Sequence, residues 1–244
     1  MSCFMRLSLS IAFSLLTCTS AIADHPIRGV VELFTSQGCS SCPPADALFE
    51  ELAQQRGLAV LSLPVDYWDR LGWKDTYGSP AHSARQRGYA VARGDRAVYT
   101  PQAVVNGARH MNGVDRSEIE ASLDQSRSSL TVPLDVSRSS ATLRITVGAA
   151  PTTAVVQPAT LVLIPYLARR EVKIGRGESA KRAIAYTNIA RKIEIIGTWF
   201  GKATTIERPV TNPDAADGAF ILLQTGTPEA PGPIIGAAQI SFAN

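Results

Sequence analysis

Two cysteines separated by a pair of serines, Cys39-Ser40-Ser41-Cys42, stand between an apolar run, Val30 to Thr35, and a helical pattern that begins at Ala45. Strand, CxxC and helix make a narrow specification, because thiols at that spacing, at the mouth of a helix, can open and close a disulfide. A second segment narrows it further. Tyr99-Thr100-Pro101 runs into Gln102-Ala103-Val104-Val105-Asn106-Gly107, a Thr-Pro pair set directly before another short strand. Together the two segments read as a thioredoxin-like redox site. A bare CxxC also suits a structural disulfide or a pair of metal ligands, and both readings stay open at this point.

The redox setting depends on the N-terminus. Arg6 is followed by an apolar stretch from Leu7 to Leu16 and by Ala21-Ile22-Ala23 before Asp24. A positive start, an apolar middle and a small-x-small cleavage site describe a secretory signal peptide over residues 1–23. A membrane anchor needs about twenty apolar residues, whereas serines and threonines break this run. Cys18 could accept a lipid, but Thr17 is bulkier than the small residue expected before such a cysteine. Cleavage after Ala23 removes Cys3 and Cys18 and leaves Cys39 and Cys42 as the only cysteines. The mature chain is then expected in the periplasm or outside the cell, where disulfides persist, with no membrane span.

Charge sets one large class aside. The net charge is +3 and 18 % of residues are charged. No stretch dense in Lys and Arg is interleaved with aromatics, so nucleic acid is not the expected partner. Arg85, Arg87, Arg93 and Arg96 form a modest basic cluster between the two halves of the site. Its plain reading is a solvated helix face; its functional reading is an electropositive surround that favours thiolate over thiol.

The first half alternates. Val30 to Thr35 reads as a buried strand, and Ala45, Leu48, Phe49, Leu52 and Ala53 recur at helical spacing, with Gly57 as the stop. Leu58 to Val65, apolar almost throughout, reads as a strand covered on both faces. Ser79-Pro80 reads as an N-cap and first helical residue, with Gly94 ending that helix. Gln102 to Asn106 is a third strand, turned by Asn106-Gly107 into Ala108 to Met111. Asp115 caps a last helix carrying Ile119 and Leu123. This is thioredoxin-like order, with an insertion between Asp66 and Val98: an α/β fold with a central mixed sheet flanked by helices.

The second half changes character. Short alternating runs at 130–136, 141–147, 160–166, 191–196, 219–224 and 234–240 are separated by turns rich in Gly, Pro and Asp. They predict a β-rich, sandwich-like part. The expected division is residues 24–128 and 129–244, with Ser126 to Ser129 as the boundary. There is no internal repeat and no low-complexity tract.

The chemistry assigns roles. A helix N-terminus carries about half a positive charge and unpaired N–H donors, which stabilise a thiolate. Cys39 is the expected exposed nucleophile and Cys42, one turn along, the resolving thiol. Pro101, preceded by Thr100, has the cis option that non-proline bonds hardly have, and it sets backbone beside the disulfide. Asp66 orients a substrate, moves a proton or caps a turn. Trp68 and Trp73 either form an apolar platform beside the disulfide or fill the contact with the second part. Pro43 and Pro44 disfavour helical geometry in the residues before them, so a delayed or distorted helix start is expected. His25, His82 and His110 read as ordinary polar residues, and no metal site is assigned.

Three long segments carry a family resemblance. They are Glu32 to Asp46, Val65-Asp66-Tyr67-Trp68-Asp69-Arg70-Leu71-Gly72-Trp73-Lys74-Asp75, and Tyr99 to Gly107. With Val172 to Glu178 and Ile195 to Trp199, they resemble the DUF1223 family of secreted bacterial proteins across essentially the whole mature chain. The resemblance implies a thioredoxin-like N-terminal part and the Cys39/Cys42 pair; it implies no reaction.

Three functions follow as expectations. The first is thiol–disulfide exchange in the cell envelope. Its redox-active disulfide needs no separate cofactor, and its partners are protein or small-molecule thiols and disulfides, with a redox partner protein. The second is copper handling through Cys39 and Cys42, with His82 or His110, although no Met-rich or His-rich tract supports it. The third is a binding protein in which the CxxC is a static staple. Arg176, Glu178 and Lys181 form a polar cluster whose safer reading is a solvated turn.

Overall fold

The computed structural model describes residues 26–140, 142–152, 157–177, 179–210 and 215–242. The expected signal segment 1–23, with Cys3 and Cys18, lies outside the described residues, as do His25, Ala141 and Glu178. No helix among the described residues is long and apolar enough to cross a membrane.

The first part runs β1 (Gly29–Thr35), α1 (Pro43–Leu52), β2 (Leu58–Pro64), a short 3₁₀ turn (Asp69–Leu71), α2 (Pro80–Arg93), β3 (Gln102–Val105), β4 (Arg109–Asn112) and α3 (Arg116–Gln125). Strand β1 is buried at every position because it lies between parallel β2 and antiparallel β3, with helices on both faces. Its side chains alternate between those faces. Val31 and Leu33 pack against Leu48, Phe49 and Leu52 of α1 and Ile119 of α3. Val30 and Phe34 pack on the opposite face with Tyr89 of α2.

Local chemistry explains the ends. Ser79 accepts a hydrogen bond from the Ala81 N–H, and Gly94 closes α2 with φ 74°. Asp115 accepts from the Glu118 N–H to start α3. Asn106 and Gly107 both have positive φ, as a two-residue turn of this hand requires. A Cβ on Gly107 would stand 2.7 Å from the Gly232 carbonyl oxygen, so only glycine fits.

The second part supplies β5 (Leu134–Arg138), β6 (Thr142–Val147), β7 (Ala159–Lys173), β8 (Ala183–Ala190), β9 (Glu194–Trp199), β10 (Thr204–Pro209), β11 (Gly218–Thr227) and β12 (Ala230–Ser241). A nine-stranded mixed sheet runs in the order β12-β11-β7-β8-β2-β1-β3-β4, with β9 also paired to β7. The junction is β2 beside β8, parallel, in register at Ser62 and Ile189. Ser62 Oγ donates to the Thr187 carbonyl at 2.8 Å, and Asn188 Nδ2 donates to that of Val60 at 2.9 Å. A three-stranded sheet, β10-β6-β5, shares a core with the large one through Leu143, Ile145 and Val147 against Leu161, Trp199, Ile221 and Leu223. The fold is therefore α/β with a central mixed sheet and a β-rich part.

Several expectations need revision. Strand β7 continues past 166 to Lys173, and β8 and β10 were not expected. Arg85 fits neither reading of the basic cluster. It is buried and paired with Glu32 of β1, Nε to Oε1 at 2.6 Å and Nη2 to Oε2 at 3.1 Å. Its Nη2 also donates to Tyr89 Oη at 2.7 Å and to Gln224 Oε1 of β11 at 3.0 Å. The phenol donates to Glu32, and Gln224 Nε2 donates to the phenol at 2.9 Å. The carboxylate, guanidinium, phenol and amide at this crossing bond one another, which is how a buried charge pair becomes tolerable. Arg93 is paired with Asp95 at 2.7 Å, while Arg87 and Arg96 face solvent.

Candidate functional site

Cys39 and Cys42 form a disulfide with Cα atoms 5.4 Å apart, at the junction from β1 to α1. Cys42 is the N-cap of α1, in right-handed helical geometry, and Pro43 and Pro44 occupy its first two positions. The expected distortion is absent for a clear reason. Residues in a first helical turn have no intrahelical use for their N–H, so both prolines fit there without losing a hydrogen bond. The Ala45 and Asp46 N–H groups then reach the Cys42 carbonyl at 2.9 and 3.1 Å.

The Thr100–Pro101 peptide bond is cis. Trp68 ties this bond to the disulfide region. Its Nε1 donates to Thr100 Oγ1 at 2.9 Å, and its Cβ lies where a side chain on Gly38 would be, 3.1 Å from the position of a Cβ there. Gly113 closes the far side: a Cβ on it would stand 3.0 Å from Pro101 and 3.2 Å from Ala45. Asp66 is turned elsewhere. It accepts from Ser83 Oγ of α2, whose hydroxyl also accepts the Asp66 N–H, so the structure gives it the turn-fixing bonds.

Cys39 is not exposed. Both cysteines are fully buried, because the turn between β7 and β8 folds over them. Ser179, itself buried, directs its Oγ to the Cys39 carbonyl at 3.4 Å, and Arg182 Nη1 reaches the Ser40 carbonyl at 3.5 Å. Bonds this long are weak. Trp73 supports the turn: its ring lies against Gly175, 3.0 Å from where a Cβ would be, and its Nε1 donates to Gln37 Oε1 at 2.8 Å. Trp73 thus fills the contact between the two parts, whereas Trp68 lies beside the site.

Beneath the disulfide are groups that sequence reading missed. Asp46, four residues after Cys42 and so on the same side of the helix one turn on, is buried with Tyr186 of β8 and Asp75 nearby. Thr35 Oγ1 donates to Asp46 Oδ1 at 2.8 Å, while Oδ2 and the Tyr186 hydroxyl are buried without partners. Burial, opposed by the Thr35 bond and assisted by Asp75, pushes the Asp46 carboxyl up to about 8. Burial also raises Asp75, against the hydrogen bonds it accepts from the Gln37 N–H at 2.8 Å and the Tyr77 N–H at 2.9 Å. Asp46 lies about a quarter turn from the apolar stripe of α1, and it is buried only because β8 covers that flank.

The histidines lie in other settings. His82 Nδ1 is bonded to the Pro64 carbonyl at 2.8 Å, and burial holds the ring down to about 4. His110 Nε2 meets Asp95 at 3.0 Å. No group of three or more His, Cys, Asp or Glu side chains among the described residues is arranged to hold a metal ion.

Asp46 makes stability depend on pH in a definite direction. Between about 4 and about 8 the folded carboxyl keeps a proton that the unfolded chain has released, so stability declines as pH rises through that window. Asp46→Asn removes the dependence but leaves an amide N–H without a partner, at about 1 kcal/mol or more. The variant is expected to be less stable than wild type near pH 4 and more stable by roughly 2 kcal/mol near pH 9. Urea midpoints across pH check this. Two parallel curves would mean that Asp46 ionises as an exposed carboxyl does.

Comparison with known proteins places these features. The family model described as "Protein of unknown function (DUF1223)" matches residues 30–224. A crystallised protein of Agrobacterium tumefaciens, a structural-genomics target, is 33 % identical, with a TM-score of 0.78; the match covers 90 % of this chain and 96 % of that one. HBP35 of Porphyromonas gingivalis shares the fold at 12 % identity and a TM-score of 0.56, over 90 % of this chain and 76 % of that one. No curated protein matches the chain.

Proposed function

The chain belongs to the DUF1223 family, and from that premise we propose that it is a thioredoxin-like thiol–disulfide exchange protein of the periplasm or the secreted space. Residues 24–128 act as the thioredoxin-like unit, and 129–244 as the β-rich unit that roofs its disulfide. The observation that carries this reading is the Cys39–Cys42 disulfide seated on the first turn of α1, with Cys42 as its N-cap. The N–H groups and dipole of that turn favour the thiolate that exchange requires.

In the reduced protein, the Cys39 thiolate attacks one sulfur of a substrate disulfide and expels the other as a thiolate. The Cys42 thiolate then attacks Cys39 Sγ, reforming the protein disulfide and releasing the second substrate thiol. Asp46, one turn on from Cys42 and protonated at neutral pH, is the group that would supply a proton to the Cys42 thiolate when the disulfide opens. Thr100, Pro101 and Trp68 form the side of the site where substrate backbone lies. Exchange requires the turn between β7 and β8 to lift, since both cysteines are fully buried beneath it.

The reduction potential tests the reading directly. Equilibration in glutathione buffers is expected to give a value between about −120 and −270 mV, the range of exchange catalysts. A value below about −300 mV would mark a structural disulfide and favour a binding protein instead.

A further inference from the structure

Basic side chains outnumber acidic ones on the roof over the disulfide, whose sequence also carries Glu171 and Glu178. Lys173, Arg176, Lys181 and Arg182 are exposed along the end of β7 and the turn that covers Cys39. Arg70 and Lys74 are exposed on the neighbouring 70–74 segment, which Trp73 joins to Gly175 and Gly177. None of these six forms an ion pair among the described residues, although ten other basic side chains do. Arg70 and Arg182 spend one N–H each on a backbone carbonyl, those of Tyr67 and Ser40.

Resting on the exchange reading above, we propose that the substrates of this disulfide are small thiols and disulfides that carry carboxylates, drawn in by the basic roof. Size follows from burial. Both cysteines lie beneath a single turn, bonded to the 39–40 backbone by two long hydrogen bonds and packed on Trp73, so a small molecule needs less displacement of that turn than a protein substrate does. Sign follows from the excess of these cations, none of them in an ion pair among the described residues, which concentrate anions over the approach that the turn opens. Asp46 beneath does little to cancel this field, since it keeps its proton at neutral pH.

The step balances without another reactant. A thiolate RS⁻ attacks Cys39 Sγ and expels the Cys42 thiolate, which takes a proton. A second RS⁻ attacks the mixed disulfide at the sulfur of R and leaves as RSSR, and Cys39 takes a second proton. Two thiols lose two electrons and the protein disulfide gains them.

The test is the rate of reduction of the oxidised full chain by glutathione, neutral 2-mercaptoethanol and cationic cysteamine, each corrected for its thiolate basicity. At low ionic strength glutathione is expected to react at least about tenfold faster than cysteamine, and the gap to close in high salt. Arg176→Glu with Lys74→Glu should narrow the gap several-fold, read as the ratio of each rate to the 2-mercaptoethanol rate of the same variant. Rates that follow thiol basicity alone, or a gap that survives both salt and charge reversal, overturn the inference while exchange stands. Inertness toward all three thiols overturns the exchange reading, and this inference with it.

Discussion

Cys39→Ser is expected to reduce exchange to the uncatalysed background, while Cys42→Ser accumulates a mixed disulfide through Cys39. The asymmetry is the point of the experiment. A nucleophile that is lost cannot form the covalent intermediate; a resolving thiol that is lost leaves the intermediate formed and stranded. Non-reducing electrophoresis or intact-mass measurement after incubation with glutathione disulfide reads the two outcomes. Accumulation on Cys39→Ser instead would exchange the roles of the two thiols. A static staple predicts something different, namely equal and modest losses of stability. A loop closed across a sequence separation of 3 is worth only about 2 kcal/mol by loop entropy. That is little for a molecule whose core is built from two sheets and three helices, and it makes stability a weak reason for this disulfide.

Arg85→Met is expected to destabilise the protein by about 3–5 kcal/mol, because it strands the Glu32 carboxylate in the core. Glu32 is fully buried and would keep only the Tyr89 hydroxyl as a donor. Gln224 Oε1 would lose the guanidinium as well. Such a loss is a large share of the roughly 5–15 kcal/mol that a folded domain has in total. Denaturant midpoints and soluble yield measure it. Adding Glu32→Gln to Arg85→Met should recover most of the loss, since no buried charge then remains. A double variant as unstable as the single one would trace the effect to lost packing of the arginine stem.

What could be read in the sequence was what local chemistry decides. Ser79-Pro80, Asn106-Gly107 and Asp115 mark element ends because each satisfies a backbone need within a few residues. The burial of Val30 to Thr35 was equally plain, since a continuous apolar run has to be covered on both faces. Strand β8 was not legible. Its Ile184 and Tyr186 alternate, but Ala183, Ala185 and Ala190 blur the pattern, and Asn188 interrupts it with φ 48°. The far arm of β7, with Arg169, Arg170 and Lys173, reads as solvated chain until β8 is known to pair with it.

From that single omission the rest follows. Without β8, Arg176 and Lys181 were a turn of no consequence, Cys39 was an exposed thiol and Asp46 an ordinary helix residue. Asp46 looks polar and unremarkable beside Ala45 and Leu48, and only Tyr186 arriving from far along the chain seals it in. The Arg85 pairing is the exception: its strands were expected, but nothing local shows that Glu32 and Gln224, so far apart in the chain, meet on α2.

The parallel seam between β2 and β8 has a mechanical meaning. Two lobes joined by a linker can swing apart to admit a substrate, and proteins with clefts between lobes often do. Here the strands of both halves are stitched into one sheet, and Arg85 and Gln224 pin them again from the opposite face. No hinge can lie between them without tearing backbone bonds. On the exchange reading, the give that the buried disulfide requires therefore comes from the turn between β7 and β8 rather than from the seam, and the opening of that short turn sets the pace of the reaction.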